Sequence, residues 1–135
     1  MIDALVFPDT RDALFDLIDG ATHLGVPVRA VYQIPANDYG AIQGPFPLAL
    51  IYGAPGGKSG FVDRVDRRTI DVYAPGQQAL NTLESISSSI CGEDIETPSG
   101  YLDKIEVDIV PEDVPYQSDT LNKATATFMV TSRPL

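Results

Sequence analysis

The chain holds one cysteine, Cys91, and one histidine, His23, in 135 residues. A lone cysteine excludes an intrachain disulfide, and a reducing compartment is the expectation. A zinc site needs several Cys, His or carboxylate ligands at set spacing, and neither residue has such neighbours in sequence. Cations are scarce: nine Lys and Arg stand against nineteen Asp and Glu, a formal net charge of −10. That balance repels a phosphate backbone and excludes sequence-specific nucleic-acid recognition as a working hypothesis. It also leaves no polybasic cluster to hold an anionic membrane. No apolar run approaches the roughly 20 residues of a spanning helix. No basic stretch precedes an apolar one after Met1-Ile2-Asp3, so no signal peptide is expected and the chain reads as a product of the cytoplasm.

What is present suffices for one core. Hydrophobic residues make up 44% of the chain, so residues 1–135 are read as a single domain. Eleven glycines and eleven prolines predict long or sharply bent loops. An acidic surface keeps a protein in solution and suits a channel past which DNA slides without sticking.

The apolar pattern divides the chain into elements. Asp9 or Thr10 can cap a helix whose Ala13, Leu14, Leu17, Ile18 and Ala21 share one face. Gly20, Gly25 and Pro27 mark its exit. Val28 to Ile34 alternates as a half-buried strand, with Val28, Ala30, Tyr32 and Ile34 facing one way. Pro35 to Pro47 reads as a long loop, Leu48 to Tyr52 as a central strand, and Gly53 to Gly60 as a second loop.

Phe61 to Val65 and Thr69 to Tyr73 bracket Asp66-Arg67-Arg68, which reads as a hairpin turn. Pro75-Gly76 introduces a helix from about Gln77 to Ile90, its stripe being Ala79, Leu80, Leu83, Ile86 and Ile90. The run Ser87-Ser88-Ser89 predicts fraying at its end. Glu93-Asp94-Ile95-Glu96 reads as an acidic loop. Ile105, Val107 and Ile109 alternate with Lys104, Glu106 and Asp108 in a strand, Pro111 to Asp119 connects, and Asn122 to Ser132 is a long final strand. The expected class is α+β: a mainly antiparallel, mixed-length sheet of about six strands with two helices packed on one face. The element order is α-β-β-β-β-α-β-β.

Chemistry-bearing motifs are few. Gly53-Ala54-Pro55-Gly56-Gly57-Lys58-Ser59 follows a strand as a phosphate-binding loop does. That loop needs Gly, four spacers, then Gly-Lys-Ser, and the first Gly position is Tyr52. It must also open a helix, whereas the residues after Gly60 read as strands. A small enzyme or nucleotide-binding protein using Gly53 to Gly60 is therefore the remoter reading. Cys91 and His23 are far apart in sequence, and nothing local activates the thiol. Asp103, Glu106 and Asp108 on one strand read as its solvated or partner-facing side. Arg67-Arg68, at the expected hairpin tip, reads as a solvated turn or a contact with a neighbour's acidic face.

From Pro75 onward the sequence resembles the tail terminator proteins of long-tailed, siphovirus-type bacteriophages. The resemblance is carried by Pro75-Gly76-Gln77-Gln78-Ala79-Leu80 at the helix entry and by Thr97-Pro98-Ser99-Gly100-Tyr101-Leu102-Asp103. It continues in Pro115-Tyr116-Gln117-Ser118-Asp119 and Asn122-Lys123-Ala124-Thr125-Ala126-Thr127-Phe128-Met129-Val130, and closes at Ser132-Arg133-Pro134. An N-terminal helix within the first dozen residues fits as well.

The resemblance implies a ring, usually hexameric, that caps the tail tube, stops its polymerisation and joins the neck. Its partners would be further copies of itself, the tail tube protein and a neck or head-completion protein. DNA would only pass through the lumen, with no membrane, metal, cofactor or catalysis. The place implied is the head-proximal end of the virion tail, after synthesis in the host cytoplasm. A head–tail joining subunit is the alternative. Inter-subunit or tube contacts are expected in the loops Pro35–Pro47 and Gly53–Gly60 and at the hairpin tip, through Tyr39, Gln43, Phe46, Lys58, Arg67 and Arg68.

Overall fold

Asp9 begins the first helix, because its carboxylate accepts the Arg11 backbone N–H at 2.9 Å and so satisfies a donor that the helix cannot. Partial burial opposes ionisation of Asp9, but that hydrogen bond and the Arg11 guanidinium hold its carboxyl below the usual range. The computed structural model describes residues 6–59, 63–116, 118 and 120–134. In chain order the elements are α1 (Thr10–Ile18), β1 (Thr22–His23), β2 (Val26–Pro27), β3 (Arg29–Val31), β4 (Leu48–Gly53) and β5 (Lys58–Ser59). Then follow β6 (Arg64–Ala74), α2 (Gln78–Ile90), β7 (Gly92–Thr97), β8 (Gly100–Val114) and β9 (Asn122–Ser132).

β1 and β2 form a small hairpin, and the other seven strands form one sheet in the order β3-β4-β6-β9-β8-β7, with β5 also paired to β6. Among the described residues, only β3 and β4 run parallel; every other strand pair is antiparallel. The architecture is the expected one, a mostly antiparallel α+β sheet with both helices on one face. The sheet curls, so that the β7–β8 turn reaches α1 and Ser99 Oγ donates to Asp16 Oδ2 at 2.7 Å.

Pairing across β6 and β9 sets the core. Ile70 lies opposite Ala126 and Val72 opposite Ala124, while Ala49 and Ile51 of β4 lie opposite Val72 and Ile70. These side chains share a face with Phe128 and Val130, and onto them α1 lays Ala13, Leu14 and Ile18 and α2 lays Ala79, Leu83, Ile86 and Ile90. Both helical stripes follow the three-and-four spacing in the sequence. The serine run does not end α2 early: Ser87 is buried, and the helix continues to Ile90.

Four expectations give way. The strand expected over Val28 to Ile34 is regular only from Arg29 to Val31, and Tyr32 and Ile34 are exposed. The hairpin turn at Asp66-Arg67-Arg68 does not exist, because β6 runs unbroken through all three residues. Phe61 and Val62 of its first expected strand lie outside the described residues. The acidic loop Glu93 to Glu96 is strand β7, paired with β8 from Gly92↔Ile105 to Thr97↔Gly100. Finally, β8 extends through Pro111 to Val114, into the expected connection, of which Gln117 and Asp119 lie outside the described residues.

Phe128 is fully buried between the helices and the sheet. Phe128→Ala is expected to lower unfolding free energy by about 3–5 kcal/mol in urea titration. Val110→Ala, at an exposed position of β8, should stay within about 0.5 kcal/mol. Equal losses at the two positions would contradict this core.

Candidate assembly surface

The residues singled out for contact fall into three places. The loop between β3 and β4 carries Tyr39, Gln43 and Phe46. Asn37 organises it, its Oδ1 accepting the backbone N–H groups of Tyr39 and Ala41 at 2.9 and 3.0 Å. Gln43 N donates to Pro35 O at 2.8 Å, which closes the loop's base. Tyr39 is then thrust outward at 94% exposure, Gln43 is exposed and Phe46 is half-buried. This loop meets the segment before β9 across a shallow cleft of about 290 Å³ lined by Tyr39, Ala41, Ile42, Tyr116 and Leu121.

Lys58 belongs to the glycine loop. Lys58 and Ser59 lie in β5, opposite Val65 and Arg64, and not at a helix N-terminus. The glycines answer to packing. Gly57 has φ +97°, and a Cβ there would lie 2.3 Å from the Val65 carbonyl oxygen. A shallow cleft of about 360 Å³ beside it is lined by Gly56, Lys58, Ser59, Arg64 and Asp66. Gly57→Ala is expected to cost about 1–3 kcal/mol, as a side chain forced into a forbidden backbone region does. Gly20→Ala, with φ +77° but open space around it, should lose less in the same urea titration.

Arg67 and Arg68 are the correction that matters most. Neither is an exposed basic tip, since successive strand residues point to opposite faces. Arg68 turns to the helix face, where its Nε donates to Thr10 Oγ1 at 2.7 Å and its Nη2 lies 3.6 Å from Asp66 Oδ2. Thr10 in turn donates to Asp66 at 3.0 Å, so this polar group fastens the start of α1 to the sheet. Arg67 turns to the other face, pairs with Asp108 of β8 at 2.9 Å and donates to the Pro55 carbonyl. Arg67 thereby ties the glycine loop to β8 across β9. Both arginines are occupied within the chain.

The face opposite the helices holds a polar group that composition and spacing did not suggest. Asp71 is 2% exposed, and Lys123 Nζ lies 3.5 Å from its Oδ2. Burial and then a hydrogen bond to Asp71 push the Tyr52 hydroxyl up to about 12. Burial opposes the charge on Lys123, yet Asp71 beside it raises its pKa. Tyr73, itself buried, meets Tyr116 edge-on at 5.2 Å. A hint existed in the alternation Ile70, Asp71, Val72, Tyr73, where a carboxylate interrupts a strand.

His23 and Cys91 form no activated dyad. His23 is buried and its Nδ1 lies 2.9 Å from Ser85 Oγ of α2. Burial pushes the Cys91 thiol up, which disfavours the reactive thiolate. Among the described residues, no three His, Cys, Asp or Glu side chains converge as a metal site. No helix there is long and apolar enough to cross a membrane. No family model matches the chain, and no curated protein matches it.

Burial pulls His23 below its ordinary value of 6.5. The unfolded chain therefore takes up a proton near that pH which the folded chain resists. The His23 contribution to stability is complete above about pH 6.5 and is lost as the pH falls through the window below it. Urea midpoints at pH 7.5 and 5 should drop further in the wild type than in His23→Gln. Parallel profiles would overturn this assignment.

One side of β8 is open along much of its length. β7 covers the outer side of β8 only as far as Ile105. From Glu106 to Val114 that side has no strand partner among the described residues. Val107, Ile109 and Val110 in this stretch are 36%, 49% and 67% exposed; by register Val107 shares the face of Phe128 and Ile109 that of Thr127. The opposite edge is treated differently. Gly20 N donates to Val28 O at 2.8 Å, Val28 N to Ala21 O at 2.9 Å and Ala30 N to Asp19 Oδ1 at 3.0 Å. The segment after α1 thus occupies the free side of β3.

Proposed function

We propose that this chain is a structural subunit of a ring that caps the tail tube of a long-tailed bacteriophage, stops its growth and offers the joining surface to the neck. The observation that carries the reading is the open, aliphatic side of β8 from Glu106 to Val114. An unpaired strand edge with three exposed branched side chains is a surface for another protein chain. The two edges are unlike, one partly covered by the segment after α1 and the other open along β8, which suits an assembly in which different surfaces of successive subunits meet, as a closed ring requires.

The resemblance from Pro75 onward supplies the particular ring. Its quoted stretches fall on the start of α2, the β7–β8 turn and nearly all of β9, the elements that build the core and lead into β8. The acidic balance of the chain suits a lumen through which DNA moves, because few cations are present to hold phosphates.

Virions assembled without this protein test the reading. Tails of uncontrolled length are the expected outcome. Tails of normal length detached from heads would overturn the terminator in favour of a joining subunit, and normal virions would overturn both.

A further inference from the structure

The sheet has a second open stretch, on the side away from β8. β3 covers β4 only from Leu48 to Leu50, and β5 pairs with β6 alone, so Ile51–Gly53 and Lys58–Ser59 have no strand on their outer side among the described residues. The two open stretches carry opposite charge. Residues 51–59 include Lys58 and no carboxylate, while residues 106–114 include Glu106, Asp108, Glu112 and Asp113 and no Lys or Arg.

Part of that charge is already used. Asp108 pairs with Arg67 and Glu106 with Lys104. Lys58, Glu112 and Asp113 have no ion-pair partner among the described residues. An unspent cation, Lys58, and two unspent carboxylates, Glu112 and Asp113, therefore stand on opposite sides of one sheet.

Like charges disfavour the symmetric alternative. If β8 met β8 of another copy, Glu112 and Asp113 would face the same acidic stretch, which is repulsive. Pro111 and the irregular register between Ile109 and Glu112 also interrupt a continuous backbone ladder there. What remains is side-chain contact: an aliphatic centre at Ile109 and Val110 with an acidic rim.

We propose that the outer side of β8, through Val110, Glu112 and Asp113, docks on the Lys58-bearing outer side of β4 and β5 in the next copy of this chain. The inference rests on the ring reading and assigns its two subunit faces. The contact is head-to-tail, so each subunit uses both faces once, as a ring requires. Lys58 then serves subunit contact, whereas Arg67 and Arg68 act within the subunit.

Paired cysteines test the assignment on the full chain, in a Cys91→Ser background. Lys58→Cys with Val110→Cys should give, on oxidation, a ladder of covalent oligomers, while either substitution alone should stay monomeric under denaturing conditions. Charge reversal is the second readout, by sedimentation across a concentration series. Lys58→Glu, and separately Glu112→Lys with Asp113→Lys, should each raise the half-assembly concentration by roughly tenfold, and combining all three should restore it. All these positions are exposed or half-exposed, so folding is not at stake.

A covalent dimer of Val110→Cys alone overturns the inference in favour of β8 meeting itself. Rings that are indifferent to both reversals overturn this pair of faces and leave the ring standing. A wild-type chain that stays monomeric at every concentration, and beside isolated tail tubes, overturns the ring and this contact with it.

Discussion

The eleven-residue register between β6 and β9, from Arg64↔Ser132 to Ala74↔Asn122, is the constraint on which the rest depends. Side chains alternate across a strand, so this register decides which residues of both strands meet the helices. It gives α1 and α2 a surface of Ile70, Val72, Ala74, Ala124, Ala126, Phe128 and Val130. A slip of one residue in β6 would present Thr69, Asp71 and Tyr73 to Leu14 and Leu83 instead. The Thr69–Thr127 hydroxyl pair at 3.1 Å and the Asp71–Lys123 ion pair at 3.5 Å are satisfied only in the native register. The polar face therefore specifies what the apolar face stabilises.

That polar face has its own cost. A carboxylate as buried as Asp71 is unfavourable unless paired, and Lys123 compensates one of its oxygens while Oδ1 stays buried without a hydrogen-bond partner among the described residues. The aromatic roof of Tyr116 over Tyr73 and the loop from Pro35 to Pro47 shelter the same end of the sheet. The two long loops thus have work inside the subunit. Tyr39, at the outermost point of one of them, remains free for a neighbour.

Much of this was legible because it depends on short-range pattern. Ala13, Leu14 and Ile18, and Ala79, Leu83, Ile86 and Ile90, recur at helical spacing, and each set is buried as its spacing implies. The alternation of Ala124, Ala126, Phe128 and Val130 likewise marks a strand with one apolar face. What was not legible depends on partners far along the chain. Asp66-Arg67-Arg68 resembles a turn because three adjacent charges are costly inside a sheet. They are tolerated because Thr10 lies beside Asp66 and Arg68, and Asp108 beside Arg67. Glu93 to Glu96 resembles a loop because β7 is an exposed edge strand, and exposed edges favour charge over apolar alternation.

The same distinction bears on the contact residues. Tyr39, Gln43 and Lys58 are outward-facing, as a loop reading of their segments implies. Arg67 and Arg68 are not, and with them goes the simplest picture of a basic spot gripping an acidic neighbour. Occupying those two cations within the subunit makes the electrostatics of the proposed ring more demanding, because an acidic chain would approach its copies with fewer attractive charges. Like-charge repulsion would grow with each subunit added to such a ring, so its association would rest on desolvating apolar surface, with charge selecting the orientation. Val107, Ile109 and Val110 provide apolar surface of that kind, and the acidic residues flanking them keep the edge from pairing indiscriminately. In the proposed ring, an open edge guarded in this way would admit one partner geometry and disfavour others.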